Sequence, residues 1–210
     1  MTRSRVALWG LPTLFYLAFC GWYTNLGGPL RPDEIERYAS QLAANGATGE
    51  RVAQMRRFME EDSGRQFIMV NVIDMAQSPP SVPGAPANES AEGLMDRYMQ
   101  YMWPALLRRA CHPVFLGDAV FESLDVVGID GATQWSRAAL MRYRSRRDVL
   151  DIAVNPAFSG RHEFKVAALE KTIAFPVETQ IYVSDARLLV FITLLAIVAV
   201  ADIGVFGRRR

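Results

Sequence analysis

Asn71 is a polar residue inside the most apolar strand pattern of the chain, residues 66–75. A buried amide must be hydrogen-bonded, so Asn71 either bonds backbone groups or points into a pocket. With Trp135, Arg142 and Tyr143 it is a candidate to line a small-molecule cleft. Bonding to the backbone is the preferred interpretation, and pocket lining is the alternative.

Three methionines, Met95, Met99 and Met102, repeat at helical spacing on one face of a predicted helix. Thioethers with a nearby thiol and imidazole, here Cys111 and His112, are a donor set for Cu(I). Methionine at this spacing more often fills a hydrophobic core, and that is the expected role here. No cofactor is therefore predicted, and copper is the minor alternative.

A basic stretch ends the third predicted strand, at Arg142, Arg144, Arg146 and Arg147. Its simplest interpretation is a solvated strand end that discourages edge pairing, and the alternative is a site for an anionic ligand or a lipid headgroup. The sequence shows no recognisable Ser-His-Asp set, phosphate loop, paired-acid motif or zinc spacing. These absences disfavour a hydrolase or a kinase.

Length and charge suggest one domain with additions rather than a nucleic-acid-binding protein. The chain has 210 residues and a formal net charge of +1, so it carries no global basic field. Only two cysteines occur, Cys20 and Cys111, and no Cys-x-x-Cys pair is present for zinc or redox chemistry.

Both ends of the chain carry apolar runs of membrane-spanning length, which predict transmembrane helices over 6–24 and 187–207. The first has no charge between Val6 and Tyr23, and the second has only Asp202 between Leu188 and Gly207. Arginines flank the outer side of each run, so the positive-inside rule places both termini in the cytoplasm. The expected location is the inner (cytoplasmic) membrane, with the central region in the periplasm.

A cleaved signal is the competing interpretation of the first run. Leu17-Ala18-Phe19-Cys20 resembles a lipoprotein cleavage box, but Phe19 is bulky where such a box has a small residue. An uncleaved anchor is preferred, and either version leaves the central region outside the cytoplasm.

The central region has the pattern of an α+β domain, residues 65–184, preceded by a helical hairpin over 31–64. Strands are predicted at 66–75, 113–127, 135–145 and 175–183, and helices at 89–110, 147–152 and 159–172. This βαββαβ order is the ferredoxin-like pattern. The first strand is apolar on both faces, so the face without helices needs a cover, and the sheet of a second copy is the simplest one.

Three segments of this region resemble the dimeric α/β-barrel (ferredoxin-like) superfamily, and most closely its small uncharacterised bacterial branch. They are FIMVNVIDM at 67–75, DRYMQYMWPALLRRA at 96–110, and ALMRYRSRRDVLDIAVNPAF at 139–158. In the last of them, Ser145, Asp148, Asn155 and Pro156 match the family's strand–helix arrangement with its Asn-Pro break. The resemblance covers residues 66–183 and implies a cleft between helices and sheet for a small apolar molecule.

Haem-binding members of that superfamily use a helix histidine as axial ligand, and His162 is the residue placed for this role, with His112 as the other histidine. Charged neighbours of His162 favour an exposed or structural histidine instead.

The favoured function is a membrane-tethered module that forms a homodimer and holds a small apolar ligand. The alternatives are a cofactor-free enzyme of monooxygenase or isomerase type, and an accessory subunit of a membrane-protein complex.

Overall fold

The computed structural model describes residues 2–158 and 160–207. These residues divide into two compact units. One is Gly27–Glu178, which holds the sheet, and the other combines the described parts of Met1–Leu26 and Thr179–Arg210.

Seven helices and four strands are formed by the described residues. In chain order they are α1 Arg3–Tyr23, α2 Pro32–Ala44, α3 Gly49–Glu60, β1 Phe67–Met75, α4 Ala91–Arg108, β2 His112–Asp118, β3 Arg137–Tyr143, α5 Arg146–Ala153, α6 His162–Ala167, β4 Leu169–Val177 and α7 Ala186–Phe206. A short 3-10 helix, Pro156–Phe158, separates α5 from α6.

Helices α1 and α7 are both 21 residues long and apolar enough to cross a membrane. They pack against each other within their own unit, where the rings of Tyr16 and Phe191 lie 5.5 Å apart. Asp202 of α7 accepts two hydrogen bonds from the Arg5 guanidinium of α1, at 2.7 Å from Nε and 2.5 Å from Nη2. The only acidic residue of the second apolar run is therefore paired with an arginine. Arg208, Arg209 and Arg210, which the sequence argument also used, lie outside the described residues.

The four strands form one antiparallel sheet in the order β2-β3-β1-β4. Strand β1 is central, with Asn71 opposite Ala139 of β3 and Ala174 of β4. Its composition is rich in β-branched and apolar residues, which suits a strand with neighbours on both sides. The chain is thus α+β with a four-stranded antiparallel sheet, as the sequence predicted.

Helices α4 and α6 pack on one face of this sheet, and alternate residues of β1 point toward them. Ile73 and Met75 join a core cluster with Leu94 of α4 and Phe164 of α6. A second cluster contains Leu106 of α4 and, among others, Met102, Cys111 and Ile152. We call this side of the sheet the covered face.

Helices α2 and α3 form a hairpin that packs against α5. Leu150 of α5 is fully buried and shares a core cluster with Ile35, Tyr38 and Met59 of the hairpin. Tyr38 also donates a 2.6 Å hydrogen bond to Asp151 of α5. The hairpin is therefore an integral part of the unit that holds the sheet.

The last strand lies earlier in the chain than the sequence pattern predicted. A helix was expected over 159–172, whose first residue, Ser159, lies outside the described residues, and a strand over 175–183. Instead α6 ends at Ala167 and β4 covers Leu169–Val177. The helical spacing of apolar residues extends past the end of α6. The segment from Leu169 is nevertheless a strand, because it pairs with β1 and strand formation depends on non-local neighbours.

The second strand is also shorter than predicted. A strand with an internal break was expected over 113–127, whereas β2 ends at Asp118 and the residues up to β3 form a long connection. Large apolar side chains of this connection are exposed, so the apolar residues that suggested a strand have no sheet neighbour. They are Val120, Phe121, Leu124, Val126, Val127 and Ile129.

A buried ion pair between Glu34 and Arg147 links the hairpin to α5. The pair makes the stability of the folded state depend on pH. The Glu34 carboxylate accepts hydrogen bonds from Arg147 at 2.8 and 2.9 Å and from the backbone of Arg31 at 3.0 Å. The Arg147 guanidinium is the main reason that the pKa of Glu34 falls to about 2. A carboxyl whose pKa is lower in the folded state than in the unfolded state stabilises the folded state at pH values above its unfolded-state pKa. This stabilisation is lost as the pH falls from about 4.5 to about 2.

Replacing Glu34 with glutamine is expected to lower the free energy of unfolding by about 1–3 kcal/mol at neutral pH, because Arg147 loses its charged partner. Below about pH 2, where Glu34 is protonated in the folded state as well, the variant and the parent chain should converge. The matched control is Glu36→Gln, since Glu36 pairs with Arg56 at an exposed site, and its loss should lower the free energy of unfolding much less than the loss of Glu34. Chemical unfolding of the full chain as a function of pH measures both, and equal losses in the two variants would contradict the buried pair.

Candidate functional site

On the face of the sheet opposite the covered face, two adjacent rows of side chains are apolar across all four strands. The residues of β1 that point to this side are Ile68, Val70, Val72 and Asp74, and Asp74 lies opposite Lys171 at one end of the face. Two rows cross the sheet in register with them. The first is Phe115, Leu140, Val70 and Phe175, and the second is Gly117, Ala138, Val72 and Ile173. We call these two rows the open face.

The open face lacks the helical cover of the other side. None of its residues belongs to a core cluster of the described residues. Phe115 and Phe175 are 51% and 46% exposed, and Val70, Val72 and Leu140 are half-buried. A contiguous apolar surface of this kind is unusual on a monomeric soluble domain.

On the covered face, side chains of α4 and of the sheet differ in how deeply they are buried. Tyr98 of α4 packs against both core clusters of this face and so lies between them. Met69, Asn71 and Met141 on the floor of the sheet are only half-buried, although Ile73 beyond them is buried. We call the space around Tyr98, Met69, Asn71 and Met141 the helix–sheet cleft.

Asn71 lies on the floor of this cleft, and its amide bonds the backbone. Its Nδ2 donates to the carbonyls of Met69 at 3.1 Å and Ala139 at 3.2 Å. Its Oδ1 accepts no hydrogen bond from the residues that the structure describes. The amide thus bonds the backbone, which was the preferred interpretation, and pocket lining by Asn71 stays a prediction.

The other three candidate pocket residues do not converge on Asn71. Tyr143 points to the same face of the sheet as Asn71. It pairs with Phe67, which lies four residues before Asn71 on β1, so Tyr143 and Asn71 are about 13 Å apart along the strands. Arg142 leaves β3 on the opposite face, where it is fully buried and donates to Gln66 Oε1 at 2.7 and 3.0 Å. Trp135 precedes β3 and donates to the carbonyl of Ala132 at 2.8 Å.

The phenols of the covered face remain protonated at physiological pH. Burial raises the pKa of Tyr98 to about 12. Burial is also the main reason that the pKa of Tyr143 lies far above its ordinary value, and the ring of Tyr143 stacks on Phe67 with the centroids 5.3 Å apart. Both residues can offer a hydroxyl proton to a ligand, but neither is a base at neutral pH.

The methionine stripe of α4 is divided between the two core clusters. Met95 packs on one, whereas Met99 and Met102 belong to the other with Cys111. Burial raises the pKa of the Cys111 thiol to about 11, so it is a neutral side chain that packs in the core. This arrangement agrees with methionine as core filling.

The two histidines lie on different elements and make different contacts. Nδ1 of His112 is 2.9 Å from the Pro113 carbonyl on β2, and the ring of His162 packs edge-on against Tyr98 at 6.2 Å. Burial, followed by the charges of Lys165 and Arg51, lowers the pKa of His162. Within 2–158 and 160–207, no three His, Cys, Asp or Glu side chains are grouped as metal ligands.

The basic stretch at the end of β3 is engaged in internal contacts. Arg144 donates to Asp148 at 2.6 and 3.0 Å, and Arg147 pairs with Glu34. Arg146 lies 3.6 Å from Asp62 and stacks over the Phe58 ring at 4.6 Å. These guanidinium groups join α5 to its own first turn and to the hairpin.

Lys165 is a residue of this region that the sequence argument used only as a charged neighbour of His162. It lies on α6 with its Nζ 5.9 Å from the centre of the Tyr98 ring, and burial lowers its pKa. The chain has only two lysines, Lys165 and Lys171, among its 23 basic residues. This scarcity is the sequence signal that singles out Lys165.

Comparison with known proteins gives a structural likeness without an assigned activity. No family model matches the chain, and no curated protein matches it. The crystal structure of RPA0582, a protein of unknown function from Rhodopseudomonas palustris, is similar with a TM-score of 0.51 and 17% identity, over 64% of this chain and 95% of that one. The methylated form of RPA0582 gives a TM-score of 0.52 at 17% identity, over 64% and 93%. At this level of identity the likeness describes the fold alone.

Proposed function

We propose that this chain is a membrane-tethered module that dimerises through the open face and holds a small apolar ligand in the helix–sheet cleft. The observation that carries the proposal is the pair of apolar rows across all four strands. The order β2-β3-β1-β4 with antiparallel neighbours supports a ferredoxin-like βαββαβ domain of the dimeric α/β-barrel type.

A second copy of the chain is the cover that fits this surface best. Each row is apolar from one edge strand to the other, so two open faces can bury each other without leaving a charge between them. A two-fold arrangement uses the same patch on both subunits and closes without further growth. Tethering to one membrane also raises the effective concentration of the two copies.

The cleft is proposed as a binding site rather than a catalytic centre. Its walls are mainly apolar, and its polar groups are few, as in sites that hold small molecules. Asn71 and Tyr143 lie about 13 Å apart along the strands, too far to act together on one reacting atom. Binding without chemistry therefore fits this geometry better than a monooxygenase or isomerase reaction.

The membrane arrangement follows from α1, α7 and the arginines near both ends of the chain. We place the chain in the inner membrane with both termini in the cytoplasm and Gly27–Glu178 in the periplasm. A reporter that is active only after export is expected to be active when fused after residue 100, and a cytoplasmic reporter at the same position should be inactive. The reverse pattern would contradict this placement.

A further inference from the structure

The two apolar helices α1 and α7 leave a groove between them. Its volume is about 130 Å³, and it is partly open to the surroundings. An apolar cavity of about 150 Å³ takes up benzene, so a groove of this size is wide enough for a stretch of hydrocarbon chain. The residues that shape it are Trp9, Pro12, Thr13 and Tyr16 of α1, with Phe191 and Leu195 of α7.

The groove follows from the order of large and small side chains along α1. Trp9 and Tyr16 are two turns apart on one face of the helix, and the smaller Pro12 and Thr13 lie between them on that face. The two large rings therefore border a hollow. Helix α7 closes one side of it with Phe191, whose ring lies 5.5 Å from that of Tyr16.

The lining suits a hydrocarbon chain better than a further helix. The walls are aromatic and aliphatic, and the hydroxyl of Thr13 donates to the Trp9 carbonyl at 2.8 Å within α1. Among the described residues, those that line the groove include no glycine, alanine or serine. Such small residues are what allow two membrane helices to approach closely. An acyl chain is therefore the occupant that this surface fits.

One end of the groove adjoins an arginine. Arg5 precedes Trp9 by one helical turn, so both side chains lie on the same face of α1. Its Nε and Nη2 donate to Asp202, yet the Arg5 side chain is still 45% exposed. The guanidinium can therefore meet a further anion at the point where the groove ends.

The charge along the two helices is asymmetric. At the far end, Arg187 pairs with Asp185 at 2.5 Å, which leaves no net charge in that pair. At the Arg5 end, the sequence carries five arginines against the single acid Asp202. These arginines are Arg3, Arg5, Arg208, Arg209 and Arg210, of which the last three lie outside the described residues. The groove thus runs toward a positively charged end.

We propose that the groove binds an anionic phospholipid, with one acyl chain between α1 and α7 and the headgroup phosphate beside Arg5. The proposal rests on the membrane placement given above and adds a specific lipid to it. A guanidinium is a strong donor to phosphate oxygens. Basic residues at the cytoplasmic surface of a membrane also attract anionic headgroups.

Lipid retention by the full chain tests the headgroup. The chain is purified in mixed micelles of equimolar phosphatidylglycerol and phosphatidylcholine with identical oleoyl chains, and native mass spectrometry counts the lipids that stay bound. Phosphatidylglycerol is expected to be retained at least about fivefold over phosphatidylcholine, because an arginine near an anionic headgroup contributes about 1 kcal/mol.

Two variants of α1 test the groove. Thr13→Phe fills the hollow between Trp9 and Tyr16 and should remove most of the retained phosphatidylglycerol. The matched control is Ala18→Phe, which enlarges an exposed side chain of the same helix outside the groove and should leave retention unchanged. Circular dichroism checks that both variants remain folded.

The outcomes separate this proposal from the membrane placement. Equal retention in the two variants would overturn the groove as the lipid site, and equal retention of the two lipids would overturn the role of the anionic headgroup. In a Cys20→Ser chain, bis-maleimide cross-linking of two chains at Thr13→Cys but not at Ala18→Cys would place a helix of a second copy in the groove and overturn the lipid. A chain that leaves membranes without detergent would overturn the placement as well.

Discussion

Replacing Val70 with glutamate is expected to convert the dimer into monomers while leaving the domain folded. Val70 lies on the central strand of the open face, in the row with Phe115, Leu140 and Phe175. In a two-fold dimer through this face, Val70 of each copy lies in the interface. Burying an uncompensated charge costs about 3–5 kcal/mol, so two of them should weaken the dimer by at least about 10³-fold. Val70 is half-buried in the single chain, which lets the monomer tolerate the charge.

The comparison variant is Val166→Glu, the same change at an exposed position on α6. It should leave the dimer intact, because Val166 does not belong to the open face. Mass photometry of the full chain in detergent reports the assembly, and circular dichroism reports the fold. Equal dimer fractions in the two variants would contradict the role of the open face, and so would a parent chain that is monomeric at all concentrations.

Replacing Asp202 with leucine is expected to separate the two apolar helices. The carboxylate accepts hydrogen bonds from Nε and Nη2 of the Arg5 guanidinium, which form a charge-assisted, two-point contact between α1 and α7. Removing the carboxylate leaves the Arg5 guanidinium without this partner beside two apolar helices. The expected result is a large loss of contact between the helices.

A cysteine pair at Tyr16 and Phe191, joined by a flexible bis-maleimide, reports this contact, because the two side chains pack against each other. Cross-linking between the substituted positions, in a Cys20→Ser chain, should be high with Asp202 present and low with Asp202→Leu. The charge swap Arg5→Asp with Asp202→Arg should restore it. Undiminished cross-linking in Asp202→Leu would show that apolar packing alone holds the pair.

The sequence predicted the features that depend on local pattern. Helical spacing and caps predict α2, α3 and α4 within a few residues, and the unbroken apolar runs predict α1 and α7. Strand β1 is recognisable from its composition alone, since it is apolar on both faces. The sequence also predicted a cover on its second face, and this stays a prediction.

The parts that the sequence misplaced depend on contacts distant in the chain. The start of β4 at Leu169 is decided by pairing with β1, which apolar spacing near Phe164 does not show. In the candidate site, the separation of Asn71, Arg142 and Tyr143 follows from strand register and from the alternation of faces.

Cross-linking through the open face tests the central claim most directly. In a Cys20→Ser chain, Val70→Cys provides one reactive thiol, because the buried Cys111, with its pKa raised to about 11, stays unreactive. A short bis-maleimide is then expected to join two full-length chains in nanodiscs, and Ala53→Cys on the exposed side of α3 should give little product. If Val70→Cys gave no more dimer than Ala53→Cys, the open face would not be an interface between two copies of this chain.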